Sequence, residues 1–458
     1  MQITRRKFLK QISFLGASLP LLHCTRQSMP DPPNIIYIMI DDLGYGDIGC
    51  YGSKINSTPN IDRIASEGML FTDYHSNGPM CSPTRAAFLT GMYQHRLGEM
   101  FESAISGKTD YDSGLPGDTY TLPEALKDAG YATGMYGKWH LGYQPPFLPT
   151  NHGFDEFIGL VAGDGDHHTH IDRWGRKDWW HNEKIAMEDG YSTDLITEHS
   201  IDFIQRHKDE PFFLYVSHLS IHFPWQGPDD PPHRKAGNVY TDDKWGIIPN
   251  PDNVSPHVQS MISSVDKNTG RILETLDRLN LADNTLLIFT SDNGGYTHYG
   301  DTHFNISSNG PLRGQKTEVY EGGHRVPFIA RWPGWVPAGA TSDALTMTMD
   351  MFPTFAALAG ADLPGSLNLD GIDLLPHLVD GETLPERPVC WKIGKERAIR
   401  KGSWKLCLIG DNPPELYNLS DDIGETSNLA ENHPELVRKL TEEYQRWERD
   451  VKSGYDTR

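Results

Sequence analysis

The sequence is short of cysteine, of positive charge and of long apolar runs. The 41 Lys and Arg face 62 Asp and Glu, a net charge of −21, whereas general nucleic-acid binding needs a basic face. The mean hydropathy of −0.52 excludes a polytopic membrane protein. Disulfide scaffolds and zinc motifs need more cysteines or other spacings than those of Cys24, Cys50, Cys81, Cys390 and Cys407. These shortages leave a soluble globular protein as the expectation.

Aromatic residues are plentiful, and strands alternate with helices. The 458 residues include 11 Trp, 17 Phe and 19 Tyr, enough for the core of one large domain, or of one large and one small domain. The apolar run 34–40 is typical of a central parallel strand buried on both faces. We therefore expect an α/β domain over residues 34–365, in which helices sandwich a large, mostly parallel sheet.

The pattern changes after about residue 365. Closely spaced short strands and one terminal helix predict a smaller antiparallel subdomain over residues 366–458, with strands at 388–392, 397–401 and 404–408 and a helix at 434–451. Cys390 and Cys407 could pair across this sheet after export, although spacing alone does not establish their distance. A Pro-, Asp- and Gly-rich segment, 223–253, is expected to be a surface loop bordering a substrate cleft.

The first 24 residues have the composition of an export signal. Four basic residues and no acids precede an apolar stretch of roughly 12 residues, which is too short to span a bilayer comfortably. Residues 4–10 resemble a twin-arginine signal, which predicts export to the periplasm or the cell surface. Cys24 could become a lipidated N-terminus, although His23 stands where such sites normally have a small residue. Residues 25–33 are polar and Pro-rich and are expected to be a short linker.

Polar side chains follow two of the predicted buried strands. Asp41 and Asp42 follow the first strand, and Asp292 and Asn293 follow a later one at 286–289. Because ligands of open α/β sheets bind at the carboxyl ends of strands, both clusters are expected at one edge. Adjacent carboxylates repel unless a cation joins them, and oxygen ligands suit Ca²⁺ or Mg²⁺. Two solvated turns are the alternative interpretation.

Cys81 lies just before a predicted helix that starts at Pro83. The backbone N–H groups at such a position favour an anion, and the guanidinium of Arg85, one turn further, can reach the same anion. A cysteine in this position is expected to be activated. A small buried cysteine is the alternative.

The motif Cys81-x-Pro83-x-Arg85, followed by Leu-Thr-Gly, resembles the signature of the type I, formylglycine-dependent sulfatases of the alkaline phosphatase superfamily. Other motifs similar to those of that family stand in the family's order: Asp41-Asp42, residues 137–142, His222-Phe223-Pro224, Asp292-Asn293, residues 314–316 and residues 320–323. The tail from 415 to 429 resembles the family's C-terminal subdomain. The resemblance covers roughly residues 33–450, and it implies an alkaline phosphatase-like fold and hydrolysis of sulfate esters.

The resemblance also implies two cofactors. A separate maturation enzyme is expected to oxidise Cys81 to formylglycine, whose hydrated aldehyde attacks sulfur with one oxygen and uses the other to expel sulfate. One Ca²⁺ ion is expected to polarise the sulfate, held by Asp41, Asp42, Asp292, Asn293 and an oxygen of the modified Cys81.

Further catalytic roles follow from the same resemblance. Arg85, Lys138 and Lys316 are expected to complement charge on the transferring sulfuryl group. His140 is expected to help abstract the proton of the second hydroxyl during elimination. His222, together with Lys316, is expected to protonate the departing alcohol oxygen.

The segment 153–157 leads into a departure from the family pattern. Many sulfatases follow it with a serine or another polar group that contacts the sulfate, whereas residues 160–164 contain no serine. The next stretch is rich in His and Trp, and it could bind a sugar by ring stacking and hydrogen bonding, or serve as core packing or a variable loop. Its candidate sugar-binding residues are His167, His168, His170, Arg173 and Trp174, with Trp179 and Trp180 nearby.

The export signal and this stretch make a sulfated carbohydrate the expected substrate of an exported O-sulfatase. A phosphodiesterase or phosphonate monoester hydrolase using the same modified cysteine is the first alternative. A cell-surface protein that binds carbohydrate without catalysis is the second. No nucleic-acid partner is expected.

Overall fold

The structure, a computed structural model, describes residues 32–240 and 253–453. The predicted export signal and Cys24 lie outside the described residues. In chain order the strands are β1 (Asn34–Ile40), β2 (Met69–Phe71), β3 (Tyr74–His75), β4 (Ala132–Lys138), β5 (Glu156–Leu160), β6 (Trp180–His181), β7 (Lys184–Ile185), β8 (Phe212–His218), β9 (Thr285–Ser291), β10 (His298–Tyr299), β11 (His303–Phe304), β12 (Phe328–Arg331), β13 (Ala340–Ser342), β14 (Thr346–Met347), β15 (Val389–Ile393), β16 (Glu396–Lys401), β17 (Trp404–Ile409) and β18 (Glu415–Asn418).

The α-helices are interleaved with these strands. Among the described residues, no helix is both long enough and apolar enough to cross a membrane. In chain order the described α-helices are α1 (Pro59–Ser66), α2 (Cys81–Thr90), α3 (Leu122–Asp128), α4 (Ser192–Arg206), α5 (Ser255–Arg278), α6 (Glu321–His324), α7 (Met351–Ala359), α8 (Leu375–Asp380) and α9 (Pro434–Ser453).

The largest sheet has ten strands in the order β13-β2-β12-β9-β1-β8-β4-β5-β6-β7. Its centre, from β9 to β5, is parallel. Strand β12 runs antiparallel to both of its neighbours, and the β6–β7 hairpin is antiparallel at the other edge. The predicted large, mostly parallel sheet is therefore confirmed.

Strand β1 shows why this sheet needs helices on both faces. Its side chains alternate between two apolar clusters, Tyr37 joining one and Ile38 the other, and all seven residues are buried. Helices α2, α3 and α7 contribute to the first cluster. Helices α1, α4 and α5 contribute to the second. A continuous apolar run, rather than an alternating one, is what such a doubly covered strand requires.

Helix α2 begins at Cys81, two residues earlier than the sequence predicts, and Met80 precedes it in an extended conformation. Pro83 lies inside the first turn. Proline is tolerated there because the first backbone N–H groups of a helix have no intrahelical acceptor. Cys81 is therefore the first residue of the helix.

The C-terminal part forms the predicted antiparallel sheet, in the order β15-β16-β17-β18. Helix α9 covers one face of this sheet through Leu440 and Tyr444. The other face packs on residues of the large domain, including Tyr93 and Met347. Residues 366–388 are not part of this sheet, because Leu374 and Leu378 join the main core; the domain boundary at 365 stays a prediction.

The possible pairing of Cys390 with Cys407, which the sequence left open, is not formed, and both cysteines are free. They lie on β15 and β17, which are separated by β16. Cys390 is opposite Ile399 and Cys407 is opposite Ala398, so the two side chains point to opposite faces of the sheet. A disulfide cannot connect side chains on opposite faces two strands apart.

Candidate active site

The two acidic strand ends lie together, as their positions after parallel strands predict. Asp41 and Asp42 follow β1, and Asp292 and Asn293 follow the adjacent strand β9. Asn293 Nδ2 donates a hydrogen bond to Asp42 Oδ1 at 2.8 Å, and the backbone N–H of Asp42 donates to Asp292 Oδ1 at 3.2 Å. All four side chains are buried.

Buried cations offset this concentration of negative charge. Lys138 Nζ lies 2.5 Å from Asp41 Oδ2, and Lys316 Nζ lies 2.5 Å from Asp42 Oδ1. Burial and the neighbouring Asp292 nevertheless raise the pKa of Asp41 well above its usual range, although Lys138 opposes the shift. Burial also acts to raise the pKa of Asp292, but the Arg85 guanidinium, together with Lys138 and Lys316, outweighs burial and lowers this pKa.

The donor atoms of this cluster fit a hard divalent cation. The Oδ1 atom of Asn293 is buried and has no hydrogen-bond partner. Three carboxylates converge beside it, and their mutual repulsion is what a bound cation relieves. Asp41, Asp42, Asp292 and Asn293 thus form an oxygen-rich set of the kind that Ca²⁺ prefers.

Cys81 lies against this cluster at the N-terminus of α2. Its Sγ is 3.5 Å from Asp41 Oδ1 and 3.3 Å from Lys316 Nζ. The expected activation of the thiol is wrong: burial, reinforced by the Asp41 carboxylate, raises the pKa of Cys81 to about 12. Lys138 and Lys316 do not offset that burial, so the unmodified side chain is a neutral thiol near pH 7.

Arg85 occupies a different place from the one expected for a sulfate contact. Its guanidinium donates to Asp292 Oδ2 at 2.7 Å, to Ser217 Oγ at 2.5 Å and to the Lys138 carbonyl at 2.9 Å. The side chain is only 1% exposed. Arg85 therefore fixes the Asp292 carboxylate and the end of β4, with its donors already engaged.

Cys81 opens onto a cavity of about 280 Å³. Lys316, His140 and His222 line it together with Cys81, whereas Lys138 and Arg85 lie behind its wall. The rest of the lining is mainly aromatic and polar, and includes Tyr143, Asp164, Arg173, Trp174, Phe223, Tyr296 and Tyr299.

The two cavity histidines are held in defined tautomers by backbone carbonyls. His140 Nε2 lies 2.7 Å from the carbonyl of Ile105, so it carries the proton, and the buried Nδ1 is left without a partner. His222 Nδ1 lies 2.8 Å from the carbonyl of Phe223, which leaves the lone pair on Nε2, 3.9 Å from Asp42. Burial, with Lys138 and Lys316 as the nearest cationic causes, lowers the pKa of each ring well below its usual range. Both imidazoles are therefore neutral bases.

Three residues at or beside the cavity have a left-handed backbone conformation. Asp42, His140 and Thr317 have φ values of 65°, 59° and 78°. Residues other than glycine adopt this left-handed region at a cost of about 1–3 kcal/mol when the surroundings enforce it. The strained residues thus belong to the carboxylate cluster, to the cavity histidine His140 and to the neighbour of Lys316.

The His- and Trp-rich stretch only partly reaches the cavity. Arg173 and Trp174 line it. His167 is fully buried and bonded to Ser192 and to the carbonyl of His222, and His170 is fully buried against Trp179. His168 is half-buried and lies 3.2 Å from the Gly227 carbonyl. For these three histidines the structure favours packing and positioning over the expected contact with a sugar.

Sequence reasoning missed Asp164, which lies in the segment that lacks the family serine. Its carboxylate binds Arg173 Nε at 2.8 Å and Arg234 Nη2 at 2.8 Å. Arg234 belongs to the Pro-rich loop predicted to border a cleft, and it is fully buried. A lone acid between glycines carries no signal in the sequence, because its two partners are 9 and 70 residues away.

Comparisons with known proteins agree with this site. The Sulfatase family model matches residues 33–361, and the model described as N-sulphoglucosamine sulphohydrolase, C-terminal, matches residues 315–450. The N-acetylgalactosamine-6-sulfatase of Canis lupus familiaris is 35% identical over 82% of this chain and 72% of its own. The N-acetylgalactosamine-6-O-sulfatase of Bacteroides thetaiotaomicron is 33% identical over 95% and 98%.

Solved structures show the same fold. Ps i-CgsB in complex with k-i-k-neocarrahexaose matches with a TM-score of 0.79 at 32% identity, over 91% of this chain and 93% of that one. The phosphonate monoester hydrolase of Agrobacterium radiobacter matches with a TM-score of 0.63 at 21% identity, a likeness of fold alone. With its buried carboxylate cluster and cavity cysteine on an alkaline phosphatase-like sheet, the chain belongs to the sulfatase family. It is a sulfuric ester hydrolase.

Proposed function

We propose that the chain removes O-sulfate from a sulfated carbohydrate, using formylglycine formed at Cys81 and one calcium ion. The position of Cys81 carries the proposal, because its Sγ lies between Asp41 and Lys316 at the wall of a cavity of about 280 Å³. The relatives named as N-acetylgalactosamine-6-sulfatases support a carbohydrate substrate. A 6-O-sulfated N-acetylgalactosamine is therefore the first substrate to test.

The two cofactors supply chemistry that the unmodified chain lacks. Formylglycine supplies a hydrated aldehyde as nucleophile, and Ca²⁺, held by Asp41, Asp42, Asp292 and Asn293, supplies polarisation of the sulfate oxygens.

Three residues that line the cavity position the sulfate and transfer protons. Lys316 spans Asp42 and residue 81, so its ammonium can donate a hydrogen bond to an oxygen carried by the sulfate. His140 lines the same cavity and has its unpartnered lone pair at Nδ1, which makes it the base for a hydroxyl on residue 81. His222 holds a lone pair at Nε2 and can carry a proton between the cavity and the leaving oxygen.

We further propose a route for the chain before it acts. A twin-arginine signal in residues 1–24 exports the chain to the periplasm or cell surface. Lipidation of Cys24 would anchor the exported chain to a membrane. Cys81 is only 1% exposed, so a maturation enzyme needs access before this region packs. Oxidation at Cys81 therefore precedes export of the folded protein.

The decisive experiment couples mass analysis with turnover. The chain is coexpressed with a formylglycine-generating enzyme, the peptide containing Cys81 is analysed by mass spectrometry, and sulfate release is measured. The substrates are N-acetylgalactosamine 6-sulfate, other sulfated mono- and oligosaccharides, an aryl sulfate and an aryl phosphodiester. We expect formylglycine at residue 81 and turnover of sulfate esters, lost in Cys81→Ser and retained in the matched Cys50→Ser.

Other results identify the alternatives. Strong preference for the phosphodiester supports a phosphodiesterase or phosphonate monoester hydrolase. Binding of sulfated sugar without turnover, with Cys81 still a thiol despite coexpression, supports a carbohydrate-binding protein. Calcium is tested separately by elemental analysis of the purified protein.

A further inference from the structure

His181, Glu188 and His199 form a cluster outside the catalytic cavity. We infer that these residues bind a Zn²⁺ ion at a second metal site, independent of the buried carboxylate cluster. His199 Nε2 lies 2.9 Å from Glu188 Oε2, and His181 Nε2 contacts Glu188 Oε1. The three ligand atoms all lie within 4.8 Å of one another.

The geometry of the two rings suits a shared ion. Their planes are inclined by 83° with centroids 5.8 Å apart, so both Nε2 atoms can approach one point without overlap of the rings. In a tetrahedral zinc site with bonds of about 2.0–2.2 Å, neighbouring ligand atoms are about 3.4 Å apart. Glu188 therefore needs to separate only slightly from each ring, and the two imidazole nitrogens already lie within 4.8 Å of each other. Partly exposed side chains can make these small adjustments.

The three residues come from separate elements that the fold holds together. His181 ends strand β6 at the edge of the main sheet, Glu188 follows β7, and His199 lies within helix α4. The His199 ring stacks on Tyr136 of β4, with centroids 6.2 Å apart. The side chains of the three ligands are 39%, 25% and 25% exposed, so an ion and the water completing its coordination can reach them. A bound ion ties the edge hairpin to the helix.

Charge distinguishes this cluster from a similar one in the interior. Glu321 also lies beside two histidines, His75 and His324, but Lys405 and Arg325 already neutralise it at 2.9 and 3.0 Å. Among the described residues, the ion pairs of Glu188 are with His181 and His199. A divalent cation supplies the permanent positive charge that this carboxylate lacks.

Ligand type separates the two metal sites of the chain. Two imidazoles and one carboxylate suit Zn²⁺, and a site with three protein ligands leaves a position for water. The buried cluster at Asp41 and Asp292 offers oxygen ligands that suit Ca²⁺. Excess calcium should therefore protect the buried cluster and leave the histidine cluster free to take zinc.

The test uses the full chain with calcium in excess. Zinc bound per chain is measured by elemental analysis, and affinity by competition with a fluorescent zinc chelator. We expect one Zn²⁺ per chain, an affinity at least tenfold weaker in His181→Ala and in His199→Ala, and X-ray absorption showing imidazole nitrogen around zinc. His257→Ala is the matched control, because His257 is half-buried and pairs with a single carboxylate, Asp230 at 2.7 Å.

A second measurement keeps the test independent of folding and of sulfatase activity. Zinc should raise the thermal unfolding midpoint of the wild type and of His257→Ala, while leaving the two ligand variants unchanged. Both ligand variants should retain the zinc-free midpoint and circular dichroism spectrum of the wild type. Absence of zinc uptake, or equal uptake by the His181→Ala/His199→Ala double variant, overturns the inference.

Discussion

At the scale of single residues, Asn293 offers the sharpest test of calcium binding by the carboxylate cluster. Its buried Oδ1 has no partner, and its Nδ2 donates to Asp42. Asn293→Ala removes a neutral ligand without leaving a charge unpaired. We predict that bound calcium and sulfate release each fall at least tenfold, while the unfolding midpoint in the presence of a chelator stays close to that of the wild type. Elemental analysis, turnover and thermal unfolding measure these effects.

Asp292→Ala is the contrasting variant. It also removes a ligand, but it leaves Arg85 buried without its carboxylate. Breaking a buried ion pair from one side costs about 3–5 kcal/mol, so this variant loses stability as well as metal. Full calcium content in Asn293→Ala contradicts the assignment of the cluster.

At the scale of elements, the C-terminal sheet supports the segment that carries Lys316. Lys405 of β17 lies 2.9 Å from both Glu321 and Glu425. Glu425 in turn accepts the backbone N–H of Glu321 at 2.7 Å. Two residues further, the Gly323 carbonyl accepts the backbone N–H of Gly294, next to Asn293. These buried contacts join the small sheet to the carboxylate cluster, through the segment that begins at Lys316.

Close backbone approach explains why this junction needs glycine. A Cβ on Gly294 would lie 1.8 Å from the Gly322 carbonyl oxygen. Gly294 therefore lets its segment pack directly on the backbone at Gly322.

We predict that Lys405→Met lowers kcat for sulfate release more than it changes KM. The variant leaves Glu321 and Glu425 buried together without their shared ammonium, at a cost of about 3–5 kcal/mol, and it loosens the Lys316 segment. Denaturant unfolding and steady-state kinetics measure the two effects. Lys405→Met/Glu425→Gln should recover part of both, because it removes one of the stranded charges.

Lys401→Met is the control for that prediction. Lys401 lies on the neighbouring strand β16, is 43% exposed and pairs with Glu443 at 3.0 Å. Exposed pairs contribute about 0–1 kcal/mol, so stability and kcat should barely change. If Lys405→Met behaves like Lys401→Met, the sheet does not position the lysine.

The elements that the sequence predicts well are those with a local signal. The strand β1 is a continuous apolar run, and the motif around Cys81 has a proline in the first helical turn. The contact between Lys405 and Glu321 joins residues 84 apart, so no local pattern in the sequence predicts it. The opposite orientation of Cys390 and Cys407 depends on strand register, and the neutral thiol of Cys81 depends on burial. Both are properties of the packed molecule.

For the whole molecule, buried histidines predict loss of stability in acid. Burial lowers five imidazole pKa values to about 3 or about 4, those of His95, His152, His167, His170 and His218. The unfolded chain takes up these protons near pH 6.5. Between about pH 6.5 and about pH 4 it therefore binds more protons than the folded chain, and each histidine lowers stability by up to about 1.4 kcal/mol per pH unit of acidification.

Two carboxyl groups act in the opposite direction. Burial raises the pKa of Asp47 and of Asp178 to about 7, so the folded chain holds their protons while the unfolded carboxyls stay ionised down to about pH 4. Burial also lowers the pKa values of His75, His140, His222 and His324, and it raises that of Asp41. The buried histidines therefore outnumber these buried acids. We predict that the free energy of unfolding, measured with urea, falls from about pH 6.5 to about pH 5, and falls less steeply in His95→Gln. A flat or rising profile contradicts the prediction.

The net charge of −21 bears on how a polymeric substrate reaches the cavity. Lys316 and Arg173 present positive charge at the lining, whereas a long sulfated chain must also pass over an acidic surface that repels it. Salt screens exposed charges beyond about 10 Å at 0.1 M ionic strength, and buried contacts much less. We therefore predict that added salt lowers KM for a sulfated polysaccharide and raises KM, or leaves it unchanged, for a sulfated monosaccharide. Sulfate release from both substrates across a salt series measures this. A parallel increase of KM for both substrates means that the polymer binds along a basic track, contrary to the charge balance of the chain.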